Sequence, residues 1–249
     1  MKLKVLDLFS GIGGFSLGLE RTGGFETVAF CEIEDFPRRV LAKHWPSVPC
    51  YRDVRELTAE RLAADGIAVD VITGGFPCQD ISVAGKGLGL AGERSGLFFE
   101  VARLIGELRP SIVILENVGA LLCRGMDAVL GTLASVGYDA EWHCIPASHV
   151  GLPHTRDRVW IIAYPGKERT EGRWQEAFSR LYRISWSENV RRASEWARRS
   201  DLSASGLCRG SDGIPNRMDR TSALGNAVVP HIPELIGNAI LSAIGLNVK

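Results

Sequence analysis

Short apolar segments that end in glycine or polar residues alternate with helical patterns through the first two thirds of the chain. Five of them predict buried strands, at residues 4–9, 26–33, 69–75, 111–117 and 159–164. Strands that are apolar on both faces and alternate with helices are typical of a doubly wound, mostly parallel sheet covered on both sides. Ligands of such sheets bind at the carboxyl ends of the strands. We therefore expect an α/β fold in which the tips DLFSGIGG, CEIED, GGFPCQ and ENV converge on one crevice.

The composition is that of an ordinary globular protein, with 45% hydrophobic and 23% charged residues among 249. This length suits one large domain, or one domain with a small appendage. The sequence contains no run of about 18 apolar residues, which a membrane-spanning helix would need. The N-terminal stretch reaches acidic residues and glycine too early for a signal peptide. We therefore expect a cytoplasmic protein with no membrane partner.

Charge is balanced over the whole chain but not along it. Residues 167–220 contain 12 Lys and Arg against 8 Asp and Glu, and the remainder carries the opposite excess. The alternation of strands and helices also stops after Tyr164. A basic segment of this kind is compatible with a surface that faces DNA, although such charge runs are usually just solvated surface.

The six cysteines include one, Cys78, that follows a proline within GGFPCQDIS. No two cysteines form a C-x-x-C pair, which makes a zinc cluster improbable. Disulfides are disfavoured in a cytosolic chain. Cys78 is therefore either a core residue or a nucleophile.

A glycine-rich turn follows the first predicted strand and precedes a helix. This arrangement favours an anion or nucleotide site, because the backbone can approach a ligand closely at a helix N-terminus. Ser16 stands where the dinucleotide fingerprint requires its third glycine. Glu32 ends the second strand about 20 residues further on, where a ribose partner is expected. Turn and carboxylate together indicate an adenosine-type cofactor, and a purely structural turn is the alternative.

Five motifs in order resemble those of the DNA cytosine-5 methyltransferases, which use S-adenosylmethionine. They are the cofactor loop DLFSGIGGFSLGLE (7–20), the nucleophile motif GGFPCQDIS (74–82), ENV (116–118), HTRDRVWIIAY (154–164) and RTSALGNAVVP (220–230). The stretch 82–100 is similar to the mobile catalytic loop of that family. The resemblance spans nearly the whole chain except residues 166–215. It implies a Rossmann-like methyltransferase fold with a small irregular DNA-recognition insertion.

The resemblance assigns the catalytic roles. Cys78 would add as a thiolate to carbon 6 of a flipped-out cytosine, so that carbon 5 can accept the methyl group. Glu116 would share a proton at N3, while Asn117 or backbone fixes the amino edge. Arg156 and Arg158 would hold the O2 edge and orient the loop.

The cofactor residues also follow from the resemblance. Phe9 and Ile33 would sandwich adenine, and Asp53 would accept from its amino group. Glu32 would bind the ribose hydroxyls. The remaining predicted contacts are Asp7, Gly11, Gly13 and Pro77 along the pocket, and Asn226 and Val228 near the methionine end. We expect S-adenosylhomocysteine as the product and no metal.

Two departures from the family pattern stand out. His154 occupies the position where the family usually has glutamine, and the recognition segment is reduced to about 55 residues. We expect three parts: a catalytic and cofactor-binding domain at 1–165, a recognition segment at 166–220, and a C-terminal segment at 221–249 that returns to the catalytic domain. The 83–95 loop is the candidate to fill the gap that a flipped base leaves.

The resemblance implies double-stranded DNA as partner, is compatible with a cognate restriction endonuclease, and suggests a monomer. A tRNA cytosine-5 methyltransferase is the nearest alternative, although PCQDIS lacks the C-F-T continuation of the tRNA-acting relatives. A non-catalytic binding protein that retains the fold is a second alternative. An NAD-dependent enzyme is disfavoured by Ser16 and by the presence of Cys78 with Glu116.

Overall fold

The computed structural model describes residues 2–77, 96–152, 157–166 and 227–246. A seven-stranded sheet forms its centre. The strands are β1 (Leu3–Leu8), β2 (Phe25–Cys31), β3 (Cys50–Tyr51), β4 (Val71–Gly74), β5 (Ile112–Val118), β6 (Tyr138–Cys144) and β7 (Arg158–Pro165). The helices are α1 (Gly14–Arg21), α2 (Asp35–His44), α3 (Ala59–Ala64), α4 (Gly96–Leu108), α5 (Met126–Ser135) and α6 (His231–Ala243). Short 3-10 turns follow β5 at Gly119–Cys123 and β6 at Ala147–Val150.

The strand order is β3-β2-β1-β4-β5-β7-β6. The first five strands in this order pair in parallel, whereas β7 runs antiparallel to both β5 and β6. The predicted doubly wound, mostly parallel sheet is thus confirmed, with an antiparallel edge. The order reverses between β1 and β4, and in open α/β sheets this switch point is where ligands bind.

Two hydrophobic cores cover the two faces of the sheet. One core packs α4 and α5 against alternate strand residues such as Leu6, Ile72 and Leu115. The other packs α1 and α6 against the intervening residues, including Ile114 and the fully buried Trp160. Period-two alternation sends successive side chains of a strand to opposite faces, so these strands are apolar throughout.

The C-terminal helix α6 packs directly on α1. Its buried residues include Ile232, Ile236 and Ile240, which follow helical spacing and belong to the α1 core. Helix α6 thus packs in the core that covers one face of the sheet. No helix among the described residues is long and apolar enough to cross a membrane.

Candidate active site

The loop between β1 and α1 adopts an unusual backbone conformation. Phe9 has φ of 51°, in the left-handed region that non-glycine residues seldom adopt. The neighbouring Ser10 holds this turn in place, because its hydroxyl donates to the carbonyl of Asp7 at 2.5 Å and lies 3.3 Å from the amide of Cys31. Strained residues of this kind persist where the surrounding contacts over-determine them, often at functional sites. The Ser10 contacts tie the tip of β1 to the tip of β2.

Glu32 lies at the carboxyl end of β2 and reaches the glycine turn. Its Oε2 accepts from the amide of Gly11 at 2.7 Å, and its Oε1 accepts from the amide of Glu34 at 2.8 Å. The residue is only 7% exposed. A carboxylate oxygen that accepts one hydrogen bond has a second lone pair, which a ribose hydroxyl can use. The structure therefore brings Glu32 and Gly11 together, as the sequence predicted.

The surface beside Glu32 fits an adenosine group. Ile33 is 54% exposed, which is high for an isoleucine next to a buried strand. A Cβ placed on Gly11 would meet no atom within 4 Å, so open space adjoins the turn. The apolar Ile33, the carboxylate of Glu32 and the open glycine backbone are the groups that an adenine ring and a ribose require.

Asp53 follows β3 and is bound by a neighbouring arginine. Arg55 donates from Nε to Oδ1 of Asp53 at 2.9 Å and completes a two-pronged ion pair at Oδ2. This hydrogen bonding holds the pKa of Asp53 below its usual value. Asp53 is therefore a charged acceptor.

Asp7 differs from its predicted place on the pocket wall. Its carboxyl group is fully buried, and accepts from the Ser16 hydroxyl at 2.8 Å and from the Thr73 hydroxyl at 2.9 Å. Burial raises the pKa of Asp7 to about 7, despite the two hydroxyl donors. Asp7 thus joins β1, α1 and β4 beneath the loop, and supports the pocket without lining it.

Gly13 also has a different role from the one predicted. Its φ is 86°, and a Cβ at this position would lie 2.7 Å from the ring of Trp45. The absence of a side chain at Gly13 therefore makes room for Trp45, which follows α2. Val228 does approach the loop, because a side chain on Gly14 would collide with its carbonyl oxygen.

Glu116 lies on β5 beside the tip of β4. Its Oε1 forms an ion pair with Nε of Arg158 at 2.9 Å, and the residue is 8% exposed. Its Oε2 faces Gly75, where an added Cβ would lie 3.3 Å away. Arg158 thus contacts the predicted acid directly. Gly75, within the nucleophile motif, leaves space for that carboxylate.

Both polar atoms of the Asn117 side-chain amide form hydrogen bonds with protein backbone. Asn117 is 3% exposed, its Nδ2 donates to the carbonyl of Phe76 at 3.1 Å, and its Oδ1 accepts from the amide of Val118 at 2.8 Å. Of the two expected ways to fix the amino edge of a base, the Asn117 side chain or backbone, the side chain is thus engaged elsewhere. It binds instead the strand tip that leads through the exposed Pro77 to residue 78.

Four predicted residues, Cys78, His154, Arg156 and Asn226, lie outside the described residues. Among the described cysteines, Cys31 is a poor nucleophile because burial raises the pKa of its thiol to about 12. Burial likewise raises the pKa of Cys50. Within the described ranges, no cluster of three potential metal ligands occurs.

Sequence reasoning missed the residues that hold the site from beneath. Ser10 lies in the loop after β1, Ser16 on α1 and Thr73 on β4, and the sequence assigned none of them a hydrogen bond to the site. The sequence did offer one signal, because Asp7 is an acid within an apolar strand. A buried carboxyl group needs hydrogen-bond donors, so neighbouring hydroxyl residues were to be expected.

Comparisons with known proteins identify the family. Residues 3–202 match the family model of the C-5 cytosine-specific DNA methylases. The type II methyltransferase M1.ScrFI of Lactococcus lactis subsp. cremoris is 35% identical over 170 residues, which are 67% of this chain and 42% of the relative. The type II methyltransferase M.Sau3AI of Staphylococcus aureus is 36% identical over 185 residues, 66% of this chain and 43% of the relative.

Solved structures agree with this assignment. A protein described as a prophage-encoded DNA modification methyltransferase of E. coli has a TM-score of 0.57 and 30% identity, covering 67% of this chain and 47% of its own. A DNMT2 variant from Spodoptera frugiperda, at 24% identity and a TM-score of 0.57, covers 68% of this chain and 51% of its own, and shares the fold. The chain thus spans less than half the length of the two curated relatives described above. It belongs to the C-5 cytosine-specific DNA methylases.

Proposed function

We propose that this chain transfers a methyl group from S-adenosylmethionine to carbon 5 of cytosine in double-stranded DNA. The observation that carries the proposal is the position of Glu116 against Gly75, with Asn117 bound to Phe76. These contacts put a carboxylate beside the backbone that leads to Cys78 two residues later. A carboxylic acid and a thiol are the pair that nucleophilic addition to a pyrimidine requires.

The reaction begins with the thiolate of Cys78, whose sulfur forms a bond to carbon 6 of the cytosine. The electron pair of the C5–C6 double bond then becomes available at carbon 5, and Glu116 holds a proton at N3 to offset the charge on the ring. S-adenosylmethionine supplies an electrophilic methyl group on a cationic sulfur. After transfer, loss of the carbon 5 proton to a base and departure of the Cys78 thiolate restore the aromatic ring.

The ion pair between Arg158 and Glu116 supports a positioning role for the arginine. The guanidinium holds Oε1 at 2.9 Å, which fixes the rotamer that brings Oε2 toward Gly75. Charge-assisted bonds from arginine orient carboxylates more strictly than neutral hydrogen bonds do. Arg156 would complete the contact with the base from the same motif.

In the proposed complex, Glu32 binds the ribose of the cofactor and Asp53 accepts from the amino group of adenine. Phe9 and Ile33 pack against the two faces of the adenine ring. The buried, doubly hydrogen-bonded Glu32 and the exposed Ile33 support this arrangement. The C-terminal Asn226 and Val228 would approach the methionine end, because the Val228 backbone packs on Gly14. The target base would leave the duplex stack to reach this crevice.

The test measures transfer of tritiated methyl groups from S-adenosylmethionine to duplex DNA and, separately, to tRNA. We expect transfer to DNA, and we expect Cys78→Ser to abolish it while leaving binding of S-adenosylhomocysteine intact. A duplex containing 5-fluorocytosine should form a covalent complex with the wild type and none with the variant. Full turnover by Cys78→Ser would contradict the mechanism, and transfer to tRNA alone would make RNA the substrate.

A further inference from the structure

Arg103 connects helix α4 to a segment that is remote in sequence. Its Nη2 donates to the carbonyl of Leu57 at 2.8 Å and to that of Val54 at 3.1 Å, across 46 and 49 residues. Its other nitrogens bind carboxylates of its own helix, with Nε to Glu100 and Nη1 to Glu107, each at 2.7 Å. All three guanidinium nitrogens of Arg103 are therefore held, and the side chain is only 31% exposed.

The segment that Arg103 holds begins one residue after Asp53. Val54 and Leu57 are 4% and 1% exposed and pack in the core of α4, so the turn is anchored by apolar burial on one side. Glu107 adds a second link, because its Oε2 accepts from the amide of Ala59 at 3.0 Å. The turn is therefore fixed to α4 by Arg103 at residues 54 and 57, and by Glu107 at residue 59.

Asp53 has less support from its own neighbours. The partner identified for its carboxylate is Arg55, whose side chain is 59% exposed. An exposed ion pair between residues two apart contributes little to the position of the backbone. The backbone amide of Arg55 also donates to Oδ1 of Asp53 at 3.0 Å, so the carboxylate keeps its place relative to the 54–57 turn that Arg103 holds.

We propose that Arg103 is a positioning residue for the adenine end of the cofactor. It fixes the 54–57 turn so that the Asp53 carboxylate stands where a 6-amino group can donate to it. This inference rests on the proposed function, in which Asp53 recognises adenine. It gives Arg103 a role in selecting the base of the cofactor, although Arg103 itself touches no cofactor atom.

The experiment compares two ligands that differ at the position Asp53 would read. S-adenosylhomocysteine carries a 6-amino donor, whereas S-inosylhomocysteine carries a 6-oxo acceptor that a carboxylate repels. Dissociation constants for both are measured by calorimetry on the full chain for wild type, Arg103→Met, Arg103→Lys and Asp53→Asn. Arg61→Met is the matched control, because Arg61 is an exposed arginine of α3 that pairs with Asp65 four residues later. The bonds to the 54 and 57 carbonyls come from Arg103.

We expect the wild type to prefer the adenosyl ligand. Arg103→Met should weaken adenosyl binding roughly tenfold, the effect of losing hydrogen bonds to a charged group, and leave inosyl binding nearly unchanged. The preference for the adenosyl ligand, measured as the ratio of the inosyl to the adenosyl dissociation constant, should therefore fall. Arg103→Lys should show an intermediate preference, because lysine keeps the charge but cannot reach both carbonyls and both carboxylates. Arg61→Met should match the wild type. Binding of duplex DNA should not change.

Equal weakening of both ligands by Arg103→Met would overturn the proposal, since it would indicate a general structural role. An Arg103→Met variant that binds both ligands as the wild type does would also overturn the proposal. So would an Asp53→Asn variant that keeps the wild-type preference for the adenosyl ligand. Arg103→Lys carries the same test if Arg103→Met does not fold. If the ligand preferences change as expected but the chain transfers no methyl group to DNA, the proposed function is contradicted and the role of Arg103 in cofactor binding is kept.

Discussion

Asp7 places a fully buried carboxyl group between two hydroxyls where β1 and β4 pair. Burial raises its pKa from 3.8 to about 7 in the folded chain. In the unfolded chain the same group ionises near its ordinary value. Between these two pH values the unfolded state releases the proton and the folded state retains it. The stabilising contribution of the protonated form is therefore complete below about pH 4 and is lost as the pH rises to about 7.

Replacement of Asp7 by asparagine should remove this pH dependence. The amide is nearly isosteric with the carboxyl group, remains neutral, and can accept from one hydroxyl while donating to the other. The free energy of unfolding of the wild type should fall by about 1.4 kcal/mol per pH unit across this interval relative to Asp7→Asn. Urea unfolding at pH 5, 6, 7 and 8 measures the difference. Parallel curves for the two proteins would contradict the prediction.

The roles of some residues could be predicted from a sequence motif, whereas the roles of others are visible only in the folded chain. Glu32 and Glu116 were predicted from strand ends and resemblance, and both lie at the carboxyl edge of the sheet. The packing role of Gly13 could not be predicted, because its partner Trp45 is brought near by α2. The contact of the Asn117 side chain was not predictable for the same reason, since the Phe76 carbonyl that it binds lies in the loop after the neighbouring strand β4.

Among the elements, α1 is shaped to receive the C-terminal segment. A side chain on Gly14 would collide with the carbonyl oxygen of Val228, and one on Gly18 with that of Pro230. On α6, a Cβ at Gly237 would come within 3.0 Å of side-chain atoms of Leu19 and Thr22. Glycines on both elements thus permit a close approach that brings the last motif to the cofactor loop.

We expect Gly18→Ala to displace the segment at 228–230 from α1. The new methyl group would collide with backbone, which cannot rotate away as a side chain can, so unfolding should become easier by about 2 kcal/mol. Affinity for S-adenosylhomocysteine should fall as well, because Val228 would lose its place by the loop. Chemical denaturation and calorimetry measure the two effects.

Gly131→Ala is the matched control within α5. A Cβ there would meet no atom within 4 Å, so alanine should be neutral or slightly stabilising through its higher helix propensity. Similar losses in both variants would show that the effect of Gly18→Ala comes from the helix and not from the docked segment.

The strands that sequence reasoning predicted are those with continuous apolar runs. β1, β2, β4, β5 and β7 are buried on both faces, so their composition alone indicates them. β6 was missed because its residues YDAEWHC are mostly half-buried or exposed, with Trp142 47% exposed on an edge strand. β3 has only two residues. The antiparallel direction of β7 was not predictable, since periodicity carries no information about strand direction.

At the scale of the whole molecule, the described residues form a sheet whose carboxyl end carries the predicted cofactor residues and the predicted acid. β1, β2 and the turn after β3 carry the predicted adenosine contacts, and β5 and β7 carry Glu116 and Arg158. The two curated relatives compared here are more than twice as long as the part they share with this chain. Cofactor binding should therefore depend on the sheet and α6, and DNA binding on residues outside them.

Replacing residues 168–219 by a glycine–serine segment of equal length should separate these two activities. Glu32, Asp53 and Val228 lie outside the replaced stretch, so S-adenosylhomocysteine should bind with wild-type affinity. The replacement removes ten arginines, so the affinity for duplex DNA should fall. The logarithm of the binding constant should also vary less steeply with salt, because fewer phosphates are neutralised. Fluorescence anisotropy at several salt concentrations measures this slope. If DNA affinity and salt slope both survive, the recognition surface lies on the sheet domain; if cofactor binding is lost, the three-part division of the chain is wrong.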